Sequence, residues 1–331
     1  GNGRPTVPSF QEGNRMQKDV EKTPGELVVA ISSRALFDLE EEHRLFEEKG
    51  YSAFRDFQLA HKRDVLKPGV AFPFVRRLLS LNDRFAPHRP LRVVVLSRNS
   101  PETAQRFFYS CRHYELPILA GAFTSGHSTF PYIRPFNVSL FLSANRENVK
   151  RAIEAGLPAG LVLPGHKEIE DDTDSSLRIA FDFDGVIAGD ESERAFQQGG
   201  LAAFHEWEEH NAERPHQAGP LRGLFEKLSS LQRLDYDLHG RDDPYFHPAL
   251  RISIVTSRGA PSEERLIKTL KTFGMSAAEL VLLDGLNKRP VLEAIRPHIF
   301  FDDQLRHLED TASVVPSVLI PFGIHNETKA E

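Results

Sequence analysis

An α/β fold built from two tandem units is predicted by three observations. Apolar strand-like runs alternate with helical patterns, the same residues recur at a long period, and the chain has 331 residues. Alternating strands and helices imply parallel sheets joined by right-handed crossovers, and the length accommodates two domains of ordinary size. At a shift of 150, Ala30 falls on Ala180, Arg44 on Arg194, Phe46 on Phe196, Gly50 on Gly200 and Phe54 on Phe204. At a shift of 160, Ser97-Arg98 falls on Ser257-Arg258 and Pro101 on Pro261. So long a period indicates duplicated domains rather than a solenoid.

Taken in chain order, residues 1–25 are polar and rich in Gly, Pro and charge, and read as a flexible arm. Residues 26–164 form the first unit, with strands expected over 27–31, 93–96, 118–122, 138–142 and 161–163. Residues 165–176 read as an acidic linker; they lack the spacing and glycine of a calcium loop. Residues 177–325 form the second unit and 326–331 a tail. Inside the second unit, 188–218 is too long for a single crossover helix. It reads as a helical insertion with Phe196, Leu201, Phe204 and Trp207 as apolar points, the last two expected in its own core. Residues 235–247 have no counterpart in the first unit and read as a surface excursion.

The second unit concentrates chemistry at the ends of its strands. Ile179-Ala180-Phe181-Asp182-Phe183-Asp184-Gly185-Val186 reads as a buried strand that presents two carboxylates at i and i+2. Alternate strand residues share a face, and Gly185 allows the sharp turn that aims both acids at a ligand. Acids this close repel unless a cation lies between them or one holds a proton. That is the chemistry of a metal-assisted aspartyl nucleophile beside an acid/base. A bare Asp-x-Asp-Gly is also a common turn, so three later elements decide. Residues 251–258 form an apolar strand ending in Thr256 and Ser257, Lys288 follows the apolar run 279–284, and 298–303 ends in Asp302-Asp303. In an open parallel sheet, ligands bind at that edge.

This ordered set resembles the haloacid dehalogenase-like phosphatase superfamily, whose motifs are Asp-x-Asp, Ser/Thr, Lys and a terminal acidic pair. Longer strings resemble the type I cytosolic 5′-nucleotidases: Phe181-Asp182-Phe183-Asp184 with Asp190-Glu191-Ser192-Glu193-Arg194, then residues 296–304, then Ser33-Arg34-Ala35-Leu36-Phe37-Asp38. The likeness runs from about residue 26 to 325. It implies two haloacid dehalogenase-like Rossmannoid domains, the first degenerate and the second catalytic, with the 188–218 insertion as a cap. It also implies magnesium-dependent hydrolysis of AMP-like nucleoside 5′-monophosphates through an aspartyl-phosphate. Asp182 is then the nucleophile, Asp184 the acid/base, and Thr256, Ser257 and Lys288 the phosphate contacts. The resemblance assigns magnesium to Asp182, the Asp184 carbonyl and Asp303, with Asp302 in support. Phe183 departs from the small residue of the family's animal members, which bears on packing next to the nucleotide.

The first unit lacks this equipment. Ser32 and Arg34 stand where Asp182 and Asp184 do, Leu96 stands at Thr256, and Leu142 and Ser143 stand at Asp302 and Asp303. Magnesium would find no hard anionic ligands there, so the first unit is expected not to catalyse. It is either a structural partner or a retired pocket for a regulatory nucleotide. Arg34, Ser97, Arg98 and the 125–128 loop would be its anion contacts. Arg258 has a twin in Arg98, which suggests a structural task.

Composition is that of a cytoplasmic enzyme. The chain is 40% hydrophobic, enough for a sizeable core, and its formal charge of −6 argues against nucleic-acid or membrane-surface binding. A single cysteine, Cys111, excludes an internal disulfide. No signal segment opens the chain and no run is long enough to span a membrane. A homo-oligomer is compatible with the composition. His205, His210 and His216 lack the spacing of a helical zinc pair. Two other readings stay open: a phosphatase or phosphotransferase for another small phosphate ester, and a nucleotide-sensing binding protein with vestigial catalysis. The intact Asp182, Asp184, Lys288 and Asp303 count against the last.

Overall fold

The computed structural model describes residues 25–166 and 175–327. The expected arm, most of the linker and the end of the tail lie outside the described residues. Twelve strands are present among them: β1 (Leu27–Ile31), β2 (Phe37–Asp38), β3 (Lys67–Pro68), β4 (Leu91–Ser97), β5 (Gly121–Phe123), β6 (Leu140–Ser143), β7 (Ala159–Val162), β8 (Leu177–Phe181), β9 (Leu250–Thr256), β10 (Glu279–Leu282), β11 (Ile299–Asp302) and β12 (Ser317–Leu319). Ten of them form one sheet in the order β10-β9-β8-β11-β12-β7-β6-β1-β4-β5, and β2 and β3 pair by themselves. Where separate parallel sheets were expected, the edges β7 and β12 join antiparallel through Val318↔Val162 and Leu319↔Leu161. Joining two edges pairs backbone groups that would otherwise template aggregation.

Outward from this junction the strand order repeats: β7-β6-β1-β4-β5 on one side, β12-β11-β8-β9-β10 on the other. All other sheet neighbours are parallel. The antiparallel junction therefore turns the carboxyl ends of the two halves toward opposite edges. Strands such as Leu27–Ile31 and Ile299–Asp302 are buried throughout, as a sheet covered by helices on both faces requires.

The pairings also correct the sequence register. β1 meets β4 at Leu27↔Leu91, and β8 meets β9 at Leu177↔Leu250. Ser97 therefore occupies the place of Thr256, not Ser257, and Asn99 that of Arg258. The backbone agrees, because Asn99 N–H donates to Ser97 Oγ and Arg258 N–H to Thr256 Oγ1. The loop after β5, with Ser125 at φ 49° and Gly126 at φ 88°, repeats the one after β10, with Asp284 at φ 47° and Gly285 at φ 80°. An ungapped shift of 160 is one residue too long.

Other boundaries moved for local reasons. Ile118 N–H donates back to Leu116 O at 2.8 Å instead of into the sheet, so the strand expected from 118 begins only at Gly121. The strands β12, β2 and β3 are too short to show a period. Residues 235–239 are not a surface excursion; they finish the helix Arg222–His239. Asp235 is fully buried, accepts from Ala249 N–H at 2.8 Å, and pairs with Arg84 from the other half of the sheet. No helix among the described residues is long and apolar enough to cross a membrane.

The helix Glu191–His210 is bent at Gly200 (φ 68°), as the helix Glu40–Ala60 is at Gly50 (φ 77°). Glycine alone takes such φ without strain. Both ends of the bent helix are anchored by a buried ionic network. Glu208 accepts from Ser192 Oγ, from Arg265 Nη1 at 3.0 Å and from Arg258 Nη1 at 2.6 Å. Arg265 also pairs with Glu191, and the His216 ring lies 3.1 Å from Glu191 and 3.6 Å from Glu208. Burial alone would raise the Glu208 carboxyl, but His216 and Arg258 outweigh it and hold it well below the carboxylate range. A depressed acid stabilises the fold above its unfolded value near 4.5 and loses that contribution as the pH falls. Glu208→Gln should therefore cost about 3 kcal/mol at pH 7, and urea melts at pH 7 and about 3.5 should show the deficit shrinking in acid.

Candidate active site

The site is assembled where β8, β9 and β11 end. The β8–β11 ladder continues one residue further, Asp182 N–H donating to Phe301 O at 2.8 Å, and the rings of Phe181 and Phe301 stack 5.1 Å apart beneath. Gly185 (φ 73°) then turns the chain so tightly that a Cβ there would sit 2.4 Å from an Asp303 oxygen. This turn brings the first acidic pair against the second.

Lys288 bridges the two pairs. Its buried ammonium lies 2.9 Å from Asp182 Oδ2 and 2.6 Å from Asp302 Oδ2. Phe183 N–H donates to Asp182 Oδ1 at 2.7 Å, which fixes the carboxylate plane. Asp302 is saturated: Oδ2 also lies 3.1 Å from His307 Nδ1, and Oδ1 accepts from Gln304 N–H. Asp303 differs, because its Oδ1 is buried with no hydrogen-bond partner. Asp184 is gripped by Arg258, which donates Nε and Nη2 to its two oxygens at 2.7 Å each. Bidentate forks of this kind are the stronger class of charge-assisted hydrogen bond.

Electrostatics follow from burial and count. Burial pushes Asp182 up to about 6 against the pull of Lys288, with Asp302 and Asp184 adding to the rise. Burial, then the charges of Asp302 and Asp182, raise Asp303 well above the usual range. Burial opposes Asp302 as well, but Lys288 and His307 hold it down to about 2. Lys288 loses solvation, yet its two aspartates keep it more basic than usual. Four aspartates (182, 184, 302 and 303) thus face two permanent cations, Lys288 and Arg258. Were all four ionised they would exceed these two cations by two charges, with Glu208 also drawing on Arg258; that repulsion and the orphan Asp303 oxygen suit one hard divalent cation. Asp182, Asp302 and His307 also bring ligand atoms within 4.8 Å of one another. Asp302 already accepts from Lys288 and His307 there, which leaves Asp303 as the freer ligand.

Asp182, Asp184, Thr256, Ser257 and Lys288 all line one cleft of about 860 Å³. The bent helix lines it with Phe196, Leu201 and Phe204, the last with its ring centroid 5.3 Å from the Arg258 guanidinium, and with Glu193 and His205 beside them. Phe204 was expected inside the insertion's core and instead faces the cleft, while Trp207 is 39% exposed. Phe183 points the other way. It is fully buried, edge-on to His216, with the Arg258 guanidinium 5.2 Å from its ring centroid, so it does not touch a ligand in the cleft. Arg258 is the main residue that sequence reasoning undervalued, because its supposed twin, Arg98, donates instead to Gly126 O. His307 went unnoticed altogether; it sits on a helix, five residues past Asp302, with no motif spacing to flag it. Arg34, Ser97 and Arg98 line a separate cleft of about 490 Å³ in the first half.

The 5′-nucleotidase family profile matches residues 16–327. The chain is 33% identical to human cytosolic 5′-nucleotidase 1B over 294 residues, covering 87% of this chain and 47% of that protein. The chain thus spans about half the length of the curated relative it matches. No solved structure matched it. On the family match over almost its whole length, the chain belongs to the 5′-nucleotidase family.

Proposed function

We propose that this chain hydrolyses nucleoside 5′-monophosphates of the AMP type in the cytosol, with magnesium, through a phosphorylated Asp182. The observation that carries this reading is the polarity of the cleft. Asp182 and Lys288 line one part of it, with Asp302 and the unpartnered Asp303 oxygen buried beside them, and the bent helix lines another part with apolar side chains. A phosphate fits the first and a base the second. We read residues 26–164 and 177–325 as tandem haloacid dehalogenase-like domains, the first degenerate. The repeated strand order and the aligned bends at Gly50 and Gly200 support that reading. Residues 188–218 are read as the cap.

Asp182 attacks phosphorus in line, splitting hydrolysis into two displacements. Lys288, the Thr256 hydroxyl and Ser257 meet the equatorial oxygens, where charge accumulates. Asp182, the Asp184 carbonyl and Asp303 would hold the magnesium, which offsets repulsion between the phosphate and the acids. Asp184 donates a proton to the departing ribose oxygen and later takes one from water. Both of its oxygens accept from Arg258, so one must leave the fork to carry the proton. Arg258, braced by Glu208, is the positioning residue for that step. The apolar wall excludes water and selects the leaving group.

Phosphate release from a panel of monophosphates, with and without magnesium, is the direct test. AMP-type nucleotides should turn over and sugar phosphates should not; the reverse preference, or binding without turnover, would overturn the reading. Asp182→Asn should abolish release while leaving circular dichroism and melting temperature nearly unchanged. Arg258→Ala should lower kcat about 100-fold with a smaller change in KM, and Arg258→Lys, which cannot fork, should not restore it. Magnesium at about 100 times its Kd should stabilise the free protein by about 2.7 kcal/mol, and Asp303→Asn should remove most of that gain in thermal melts.

A further inference from the structure

The first half holds a cleft of about 490 Å³ at the carboxyl ends of its own strands, and none of the residues lining it is acidic. In the register of the strand pairings, Ser32 stands at the place of Asp182, Ser97 at Thr256, Thr129 at Lys288 and Ser143 at Asp302. At three of these four places a hydroxyl replaces a carboxylate or ammonium, and at the fourth a hydroxyl is kept. Backbone roles persist: Asn145 N–H donates to Ser143 Oγ as Gln304 N–H does to Asp302 Oδ1. One ionic change breaks the pattern, Arg34 at the place of Asp184. Among the described residues its Nε is buried without a partner, and its one ion pair is a 3.5 Å contact to exposed Glu40. Sequence reasoning named Arg98 as a second contact, but its Nε and Nη2 are taken by Gly126 O.

The catalytic floor needs a cation to balance its acids. This floor needs an anion, because hydroxyls and a partly free guanidinium surround a space with no negative group. The opposite wall is aromatic. Phe46, Tyr51 and Phe54, on the helix bent at Gly50, line the cleft, with Phe46 and Tyr51 44% and 42% exposed. Exposed rings facing a cavity are a platform for a planar partner. The volume lies in the range of small-molecule sites.

We propose that this cleft binds a nucleotide without metal and without turning it over, its phosphate on Arg34 and its base against Tyr51 and Phe46. With Ser32 in place of the nucleophile and no acid/base beside it, the phosphate ester stays intact.

Equilibrium dialysis of the full chain against labelled AMP in excess EDTA tests this, since removing metal disables the other cleft and binding rather than turnover is read. One molar equivalent should bind. Arg34→Ala and Tyr51→Ala should each weaken it at least tenfold, while Asp182→Asn should leave it unchanged. Inorganic phosphate and adenosine, each carrying half of the ligand, should compete poorly. Absence of binding in EDTA would overturn the proposal. So would binding that survives Arg34→Ala and Tyr51→Ala but is lost in Phe204→Ala, which would place the ligand in the catalytic cleft. A chain that binds AMP in this way yet never hydrolyses it would sink the proposed function and leave this inference standing.

Discussion

A buried lysine between two aspartates is the constraint around which the second half is arranged. Lys288 sits 2.9 Å from Asp182 and 2.6 Å from Asp302, with both carboxylates removed from water. Ions so desolvated are tolerated only when closely paired, and here the pairing is incomplete. Asp303 remains beside Asp182 with an oxygen that none of the described residues satisfies. An acid left unpaired beside another suits a dication better than it suits a purely structural salt bridge. Gly185 belongs to the same constraint, because any side chain there would strike Asp303.

The bent helix Glu191–His210 is tied to the same chemistry through charge. Arg258 grips Asp184 with one set of donors and Glu208 with another, and Glu208 is shared with Arg265. The helix that walls the cleft and Asp184 therefore share one buried network. A shift of the helix that disturbed Glu208 would be felt at Asp184. That gives a physical route by which closing over a ligand could loosen the fork and free an oxygen for proton transfer.

One scaffold carries two chemistries in this chain. The antiparallel β7–β12 junction sets the halves edge to edge, so their clefts open on opposite margins of one sheet. Strand order, helix bends and the left-handed loop residues agree between them. The differences at the clefts lie in side chains at strand ends, charged in one half and mostly hydroxyl in the other. Such changes leave the apolar strands in place, which is how a fold can keep its packing while the chemistry at its edge changes.

The amino-acid order by itself determined the α/β class and the strand-end motifs, because each is written in a few consecutive residues. A buried strand is a short apolar run, and Asp182, Asp184, Thr256, Lys288 and the Asp302-Asp303 pair each follow one. The order also exposed the long repeat, though an ungapped comparison missed by one residue in the sheet and so matched Arg258 to Arg98 instead of Asn99. Tertiary structure decided what depends on partners far apart in the chain. The Arg258–Asp184 fork joins residues 74 apart, and the Arg84–Asp235 pair joins residues 151 apart. It decided that two expected sheets are one, that Phe204 faces a ligand while Phe183 does not, and that Asp303 rather than Asp302 is left unpaired. The physical reason is that burial and pairing are properties of a surrounding shell, and no local string specifies its shell.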